Sequence, residues 1–156
     1  MQLTWRRNEG LLSYGNRIIP VVCDVRNELN GRRKLDEKVV YSENQDGSEG
    51  MPYMPRKFPI GKWNVLAIIP KIDPYEAPEF ISTDARQQVH PWTSADGHYG
   101  VEMEDLIWDW GYGLHNSTSS TTLGCGHIIE VEDREALSEA IRIALEAGDM
   151  VILEVV

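Results

Sequence analysis

The sequence predicts a mainly β (α+β) fold with one helix near the C-terminus. Short apolar runs separated by turn residues fill the first part of the chain, which is typical of antiparallel strands. An amphipathic segment follows after residue 130, where apolar residues recur at three- and four-residue spacing. The 156 residues fit a single domain, 1–156, which can bury a core without a metal or a disulfide.

The first strands are predicted as an antiparallel meander. They cover Gln2 to Arg6, Leu11 to Tyr14 and Ile18 to Val25, and glycine-containing turns separate them. Cys23 lies within the third apolar run. A cysteine in such a run packs as a small hydrophobe. We therefore expect Cys23 to be buried and not disulfide-bonded to Cys125.

Two long loops are predicted at about residues 27–57 and 84–100, where polar residues alternate with glycine and proline. Loops of this length inside one domain are often functional. Between them, Asn64 to Ile69 is a strongly apolar predicted strand, and Glu79 to Thr83 is its candidate partner.

The predicted helix begins with Asp133 as its N-cap and ends at Gly148, which suits a left-handed C-cap. Leu137 and Ile141 belong to its apolar face. Met150 to Val155 then forms a closing strand.

The net charge of −10 argues against nonspecific nucleic-acid binding, which needs a basic surface. No apolar run approaches the length of a membrane span, and the N-terminus shows no signal sequence. We therefore expect a chain that is cytoplasmic as synthesised, or one carried to the cell wall in a virion or by a secretion system. We expect no cofactor. His90, His98, His115 and Cys125 lack the short paired spacing of zinc sites, so no metal site is expected either.

A histidine and a cysteine near the C-terminus have the chemistry needed for acyl transfer through a thiolate. Cys125 lies between two glycines, and His115 precedes it by ten positions. An imidazole can take the thiol proton and later return it to a leaving amine. The alternatives are a buried cysteine that closes a turn and a strand histidine bonded to a backbone carbonyl.

Further candidate residues surround this pair. His127 would share a strand face with Cys125 because side chains alternate with period two, so it would orient or replace His115, or only occupy the strand. The N–H groups of Gly124 and Cys125 are candidate oxyanion donors. Asn116 and Ser117 are expected to bind a substrate carboxylate or to hold His115.

Three aromatic residues, Trp108, Trp110 and Tyr112, occur at period two in a predicted strand that leads to this region. They would share one face of that strand. Core packing and a wall of the substrate site are the two roles open to them.

Three segments resemble the L,D-transpeptidase catalytic domain, whose cysteine enzymes act on peptidoglycan stem peptides. Phe58 to Val65 is similar to the family's Thr-Pro-x-Gly-x-aromatic-x-Val strand entry. Gly113 to Ser117 is similar to its Gly-x-x-His-Gly-Ser/Thr segment. Thr122 to Gly126 is similar to its Ser/Thr-His-Gly-Cys-x box. The chain departs from the family's pattern at Leu123, where a histidine is usual, and at His127. Its compact spacing of His115 and Cys125 resembles a bacterial and phage-associated branch.

This resemblance implies a β-sandwich or barrel with one C-terminal helix packed on the sheet. It also implies modification of peptidoglycan stem peptides by transpeptidase, carboxypeptidase or endopeptidase chemistry, through a thioester on Cys125. The alternative is a noncatalytic binding or structural module of a phage particle or secretion machine that keeps the same fold.

Overall fold

Short strands and one helix follow one another along the described part of the chain. The computed structural model describes residues 1–23, 32–34, 41–43, 45–46, 48–52, 56–70, 79–94, 99–116 and 125–156. The elements within these ranges are β1 (Gln2–Arg6), β2 (Leu11–Tyr14), β3 (Arg17–Val22), β4 (Arg32–Lys34), β5 (Tyr41–Glu43), β6 (Glu49–Pro52), β7 (Gly61–Pro70), β8 (Glu79–Thr83), β9 (Gln87–Val89), β10 (Trp92–Ser94), β11 (Tyr99–Glu102), β12 (Ile107–Asp109), β13 (Gly113–His115), β14 (Gly126–Ile128), α1 (Val131–Glu146) and β15 (Ile152–Val155).

Eight of these strands close into a barrel in the order β1–β15–β7–β8–β13–β14–β3–β2. The pairs β1–β15 and β13–β14 are parallel, and the other neighbours in the barrel are antiparallel. The predicted mainly β fold with one helix is therefore confirmed, and so is the meander of β1, β2 and β3. Closure leaves the barrel no unpaired sheet edge.

The core lies inside this barrel because alternate residues of its strands point inward. In β1, Leu3 and Trp5 are buried while their neighbours are partly or fully exposed. The indole Nε1 of Trp5 donates a hydrogen bond to the Val21 carbonyl at 2.9 Å, so the largest core side chain has no unsatisfied donor. The helix closes the core: α1 packs against β7 and β14, and Leu137 and Ile141 are fully buried in the same cluster.

The helix begins earlier than predicted. Asp133 is not the N-cap: α1 starts at Val131, the N-cap is Glu130, and no side-chain hydrogen bond caps it. Asp133 instead lies in the first turn, where its Oδ1 is 3.6 Å from Nη2 of Arg17. The C-cap residue is Ala147, and the predicted left-handed glycine at this end is confirmed one residue later, since Gly148 has a φ of +80°.

The prediction of uninterrupted loops at about 27–57 and 84–100 is wrong within the described residues. The first range contains β4, β5 and β6, and the second contains β9, β10 and β11. These strands have three or four residues each, too few for alternation to be visible. Several pair with strands that are distant in sequence, such as β4 with β11 and β9 with β12. No local sequence pattern therefore predicts them.

The prediction of a buried Cys23 is confirmed. Its Sγ accepts a hydrogen bond from the backbone N–H of Phe58 at 3.3 Å, and both Cys23 and Cys125 are thiols. In the part of the chain that the structure describes, no helix has the length and apolar character needed to cross a membrane.

We expect Gly126→Ala to destabilise the protein by about 1–3 kcal/mol, the usual cost of overpacking a core. A Cβ at this position would collide with the Leu114 side chain and lie 3.0 Å from the Trp5 ring. Urea unfolding measures the loss.

The double variant Gly126→Ala/Leu114→Ala tests the stated cause. Leu114→Ala alone should cost about 2–5 kcal/mol. The double variant should lose less than the sum of the two single losses, because the alanine methyl enters the space that the leucine leaves. Strictly additive losses would contradict this explanation.

Candidate functional site

The parallel pair β13–β14 places two imidazoles side by side. His115 is the register partner of His127, and Leu114 is the partner of Gly126. Leu114 lies in the barrel core, and a Cβ on Gly126 would also point into it. Since successive residues of a strand face opposite sides, His115 and His127 lie together on the outer face. Each is only 8 % exposed.

Cys125 directly precedes β14, two residues before His127, and the register continued by one residue sets it opposite Gly113, two residues before His115. It occupies a bend rather than the strand, so the strand period does not determine where its side chain points. Its position is defined by a contact of 3.8 Å from Sγ to the carbonyl oxygen of Gly111, a weak S–H donor interaction. The thiol is partly exposed, as a nucleophile must be.

Phe80 of β8 covers one side of His115. The two residues are register partners, and their ring centroids lie 5.8 Å apart at 41°. A Cβ at Gly113 would collide with the Phe80 ring and with the Ile81 carbonyl. The glycine therefore allows the aromatic ring to lie over the strand and to restrict the imidazole.

The protonation pattern of His115 follows from its backbone contact. Its Nδ1 lies 2.8 Å from the Asn116 carbonyl oxygen. A carbonyl can only accept, so Nδ1 carries the hydrogen and the neutral ring has its lone pair on Nε2. This tautomer suits a general base that acts through Nε2. A purely structural histidine would make the same contact, which is the alternative that the sequence left open.

Asn116 connects this strand to the helix. Its side-chain N–H₂ donates to the carbonyl of Ile128 in β14, and its Oδ1 accepts from Nε of Arg134 at 3.0 Å. Arg134 is 3 % exposed and also pairs with Glu79 of β8 at 3.0 Å. Both the NH₂ group and Oδ1 of the Asn116 side chain make hydrogen bonds within the protein. These contacts favour a role in holding the site over the binding of a substrate carboxylate. Ser117 and Gly124, the other predicted oxyanion or substrate groups, lie outside the described residues.

Arg134 was missed by sequence reasoning, although a signal was present. It precedes Leu137 by three positions and Ile141 by seven, so it occupies the apolar face of the amphipathic helix. An arginine on that face must find partners inside the protein. Its partners here are Asn116, Glu79 and, at 3.8 Å, Glu135.

A second polar cluster supports the segment that contacts the thiol. Asp109 is 1 % exposed and accepts a hydrogen bond of 2.7 Å from the Tyr112 hydroxyl. Gln87 donates to the same hydroxyl at 2.7 Å, and the Thr83 hydroxyl donates to the Tyr112 carbonyl at 2.7 Å. These bonds hold the chain on both sides of Gly111, whose carbonyl meets Cys125.

The prediction that three aromatic residues share one strand face is wrong for Tyr112. β12 ends at Asp109, and Gly111 has a φ of +87°, which breaks the extended pattern. Tyr112 turns into the core, where its ring packs edge-on against Phe58 at 5.5 Å. Trp108 stays outside and is 51 % exposed.

Among the described residues, no group of three or more histidine, cysteine, aspartate or glutamate side chains could hold a metal ion. His98 lies outside the described residues. Comparison of the chain with models of protein families, with curated proteins and with solved structures finds no match.

We expect Asn116→Ala to lower the free energy of unfolding by about 3 kcal/mol, because it leaves a buried arginine and a buried carbonyl short of a partner. Urea denaturation measures the change. Asn64→Ala is the matched control, since the Asn64 amide bonds to Asp84 at an exposed position; it should cost about 0.5 kcal/mol or less. Equal losses in the two variants would contradict a special role for the buried network.

Proposed function

We propose that this chain is a cysteine-dependent acyl-transfer domain that modifies peptidoglycan stem peptides, as L,D-transpeptidases and related peptidases do. The observation that carries the proposal is the register of β13 and β14. It sets His115 beside His127. His127 follows Cys125 by two residues, and the Cys125 thiol is partly exposed. The substrate class comes from the sequence resemblance and not from the geometry.

The reaction begins with attack of the Cys125 sulfur on a peptide carbonyl. The thiol proton passes to Nε2 of His115, the nitrogen that the Asn116 carbonyl leaves as the basic one. The tetrahedral intermediate then collapses to a thioester, and the same proton goes to the departing amine. An incoming amine that attacks the thioester forms a new peptide bond, whereas water releases a carboxylate.

His127 is the candidate for a supporting role. It lies next to His115 in the register, so it can orient the first imidazole or influence its charge. Two imidazoles this close repel one another when both are protonated.

A second candidate function is supported by burial. Both imidazoles are only 8 % exposed, and His115 has the backbone contact expected of a structural histidine. These observations favour a noncatalytic module; its place in a phage particle or secretion machine comes only from the sequence resemblance. The two functions differ in whether Cys125 reacts.

We expect Cys125→Ser to abolish processing of purified sacculi and muropeptides, while the melting temperature stays nearly unchanged. The substitution keeps the shape of the side chain but replaces the sulfur nucleophile with a much poorer one. His115→Ala should lower turnover by about 10²–10⁴-fold, the usual contribution of general acid–base catalysis. Product formation is followed by liquid chromatography and mass spectrometry. Cys23→Ala is the control and should retain turnover; activity that survives Cys125→Ser would contradict the proposal.

We also expect Cys125 to be alkylated by iodoacetamide faster than a cysteine in a short peptide between pH 6 and 7. A thiol that can transfer its proton to an adjacent imidazole reacts as a thiolate below the usual range of cysteine. Peptide mapping should find the label on Cys125, with buried Cys23 as the internal reference. His115→Ala should remove the advantage. Cys125 that is no faster than the peptide cysteine would favour the noncatalytic module.

A further inference from the structure

The strands β9 and β12 form a small sheet with one buried and one outward face. Asp109 is paired with Gln87, and Trp108 with Gln88. Asp109 is buried and Gln87 reaches the buried Tyr112 hydroxyl, so these two define the inner face. Trp108 is half exposed and Arg86 is exposed. The register, continued by one residue, sets Arg86 opposite Trp110 on the outward face.

The Arg86 guanidinium lies against two indole rings. Its central carbon is 5.2 Å from the centroid of Trp110 and 5.8 Å from that of Trp108. Such cation–π contacts restrict the side chain and use the face of the guanidinium, while its N–H groups project from the edge. The two rings therefore restrict the position of the Arg86 guanidinium.

Those donors have no acidic partner among the described residues. Arg86 makes no ion pair or hydrogen bond there beyond its two ring contacts. The acid closest to it in sequence, Asp84, is occupied by Asn64, which bonds to both of its carboxylate oxygens at 2.7 and 2.9 Å. Among the described residues, this guanidinium therefore has no carboxylate partner, in a chain whose net charge is −10.

This cluster, formed by Arg86, Trp108 and Trp110, adjoins the candidate nucleophile. Trp110 directly precedes Gly111, and the Gly111 carbonyl is the 3.8 Å contact of Cys125 Sγ. Hydrogen bonds to Tyr112 hold this short segment from both sides of the chain. The ring that holds the guanidinium and the carbonyl that contacts the thiol therefore belong to consecutive residues, Trp110 and Gly111.

We propose that Arg86, held against Trp108 and Trp110, is an anchor for a carboxylate of the peptide substrate. The guanidinium fork accepts a carboxylate through two parallel N–H···O bonds, and the exposed Trp108 face packs on the adjoining peptide. The anchor orients the acyl donor so that its carbonyl reaches Cys125. The identity of the ligand rests on the proposed function, whereas the two ring contacts of Arg86 do not depend on it.

The test is calorimetric binding of disaccharide-tetrapeptide muropeptides to the full chain carrying Cys125→Ala, which cannot react. The same muropeptides with their carboxylates converted to amides serve as the uncharged probe. The acid form should bind tighter than the amide form, and Arg86→Gln should weaken binding of the acid form by about 10- to 100-fold, as expected for hydrogen bonds to a charged group. Binding of the amide form should not change with Arg86→Gln.

Two further variants sharpen the test. Arg86→Lys keeps the charge but loses the planar fork, so its affinity should lie between those of the parent and Arg86→Gln. Arg6→Gln is the matched control at another exposed arginine, whose side chain is 66 % exposed, and it should bind as the parent does. Equal affinity of the parent and Arg86→Gln for the acid form would overturn the anchor, as would equal affinity of the parent for both probes.

The anchor and the proposed function fail separately. Binding that depends on Arg86, together with wild-type protein that leaves muropeptides unprocessed, supports the anchor and contradicts the enzyme. If the wild-type protein processes muropeptides and Arg86→Gln has the same KM, the result contradicts the anchor and supports the enzyme.

Discussion

The parallel pairing of β13 with β14 is the constraint on which the candidate site depends. The register pairs Leu114 with Gly126 and His115 with His127, so the two imidazoles share one face of the sheet. Parallel neighbours require the chain to return from the end of one strand to the start of the next. Each of these strands has three residues, about 10 Å of extended chain.

Both faces of this strand pair are buried, which is unusual in the barrel. The inner face packs in the core through Leu114 and Ile128, and the outer face carries His115 and His127. Such strands are held from both sides and resist displacement. The Asn116–Arg134–Glu79 network adds a polar connection from β13 to the helix and to β8. Removal of any one residue of the network leaves the others without a hydrogen-bond or charge partner in a buried environment. The network therefore fixes the geometry of the site more than it adds net stability.

Much of the fold could be predicted from the sequence because its cause is local. Short apolar runs separated by turn residues predict β1 and β2, and the apolar spacing of Leu137 and Ile141 predicts the helix. The strands of the two long loops could not be predicted, since they are short and some pair across large sequence distances. The start of α1 was also missed, because no side-chain cap marks Glu130.

The candidate site, like the fold, can be predicted from the sequence only in part. Residue chemistry and spacing select Cys125 and His115, and period two suggests His127. The side-by-side placement of the two histidines depends on a parallel register that no local pattern encodes. The same is true of the contacts of Asn116 and Arg134, which depend on how β8 and α1 pack on the strand pair, and of those of Arg86, which depend on the pairing of β9 with β12.

The central claim is that Cys125 forms a covalent acyl intermediate. The most direct measurement is intact-protein mass spectrometry after wild-type protein is mixed with muropeptides and quenched in acid within the first turnovers. The account predicts a species heavier by the substrate acyl group without its leaving amine, with peptide mapping locating the addition on Cys125. Processed muropeptides with no such species, or an acyl group located on another residue, would contradict it.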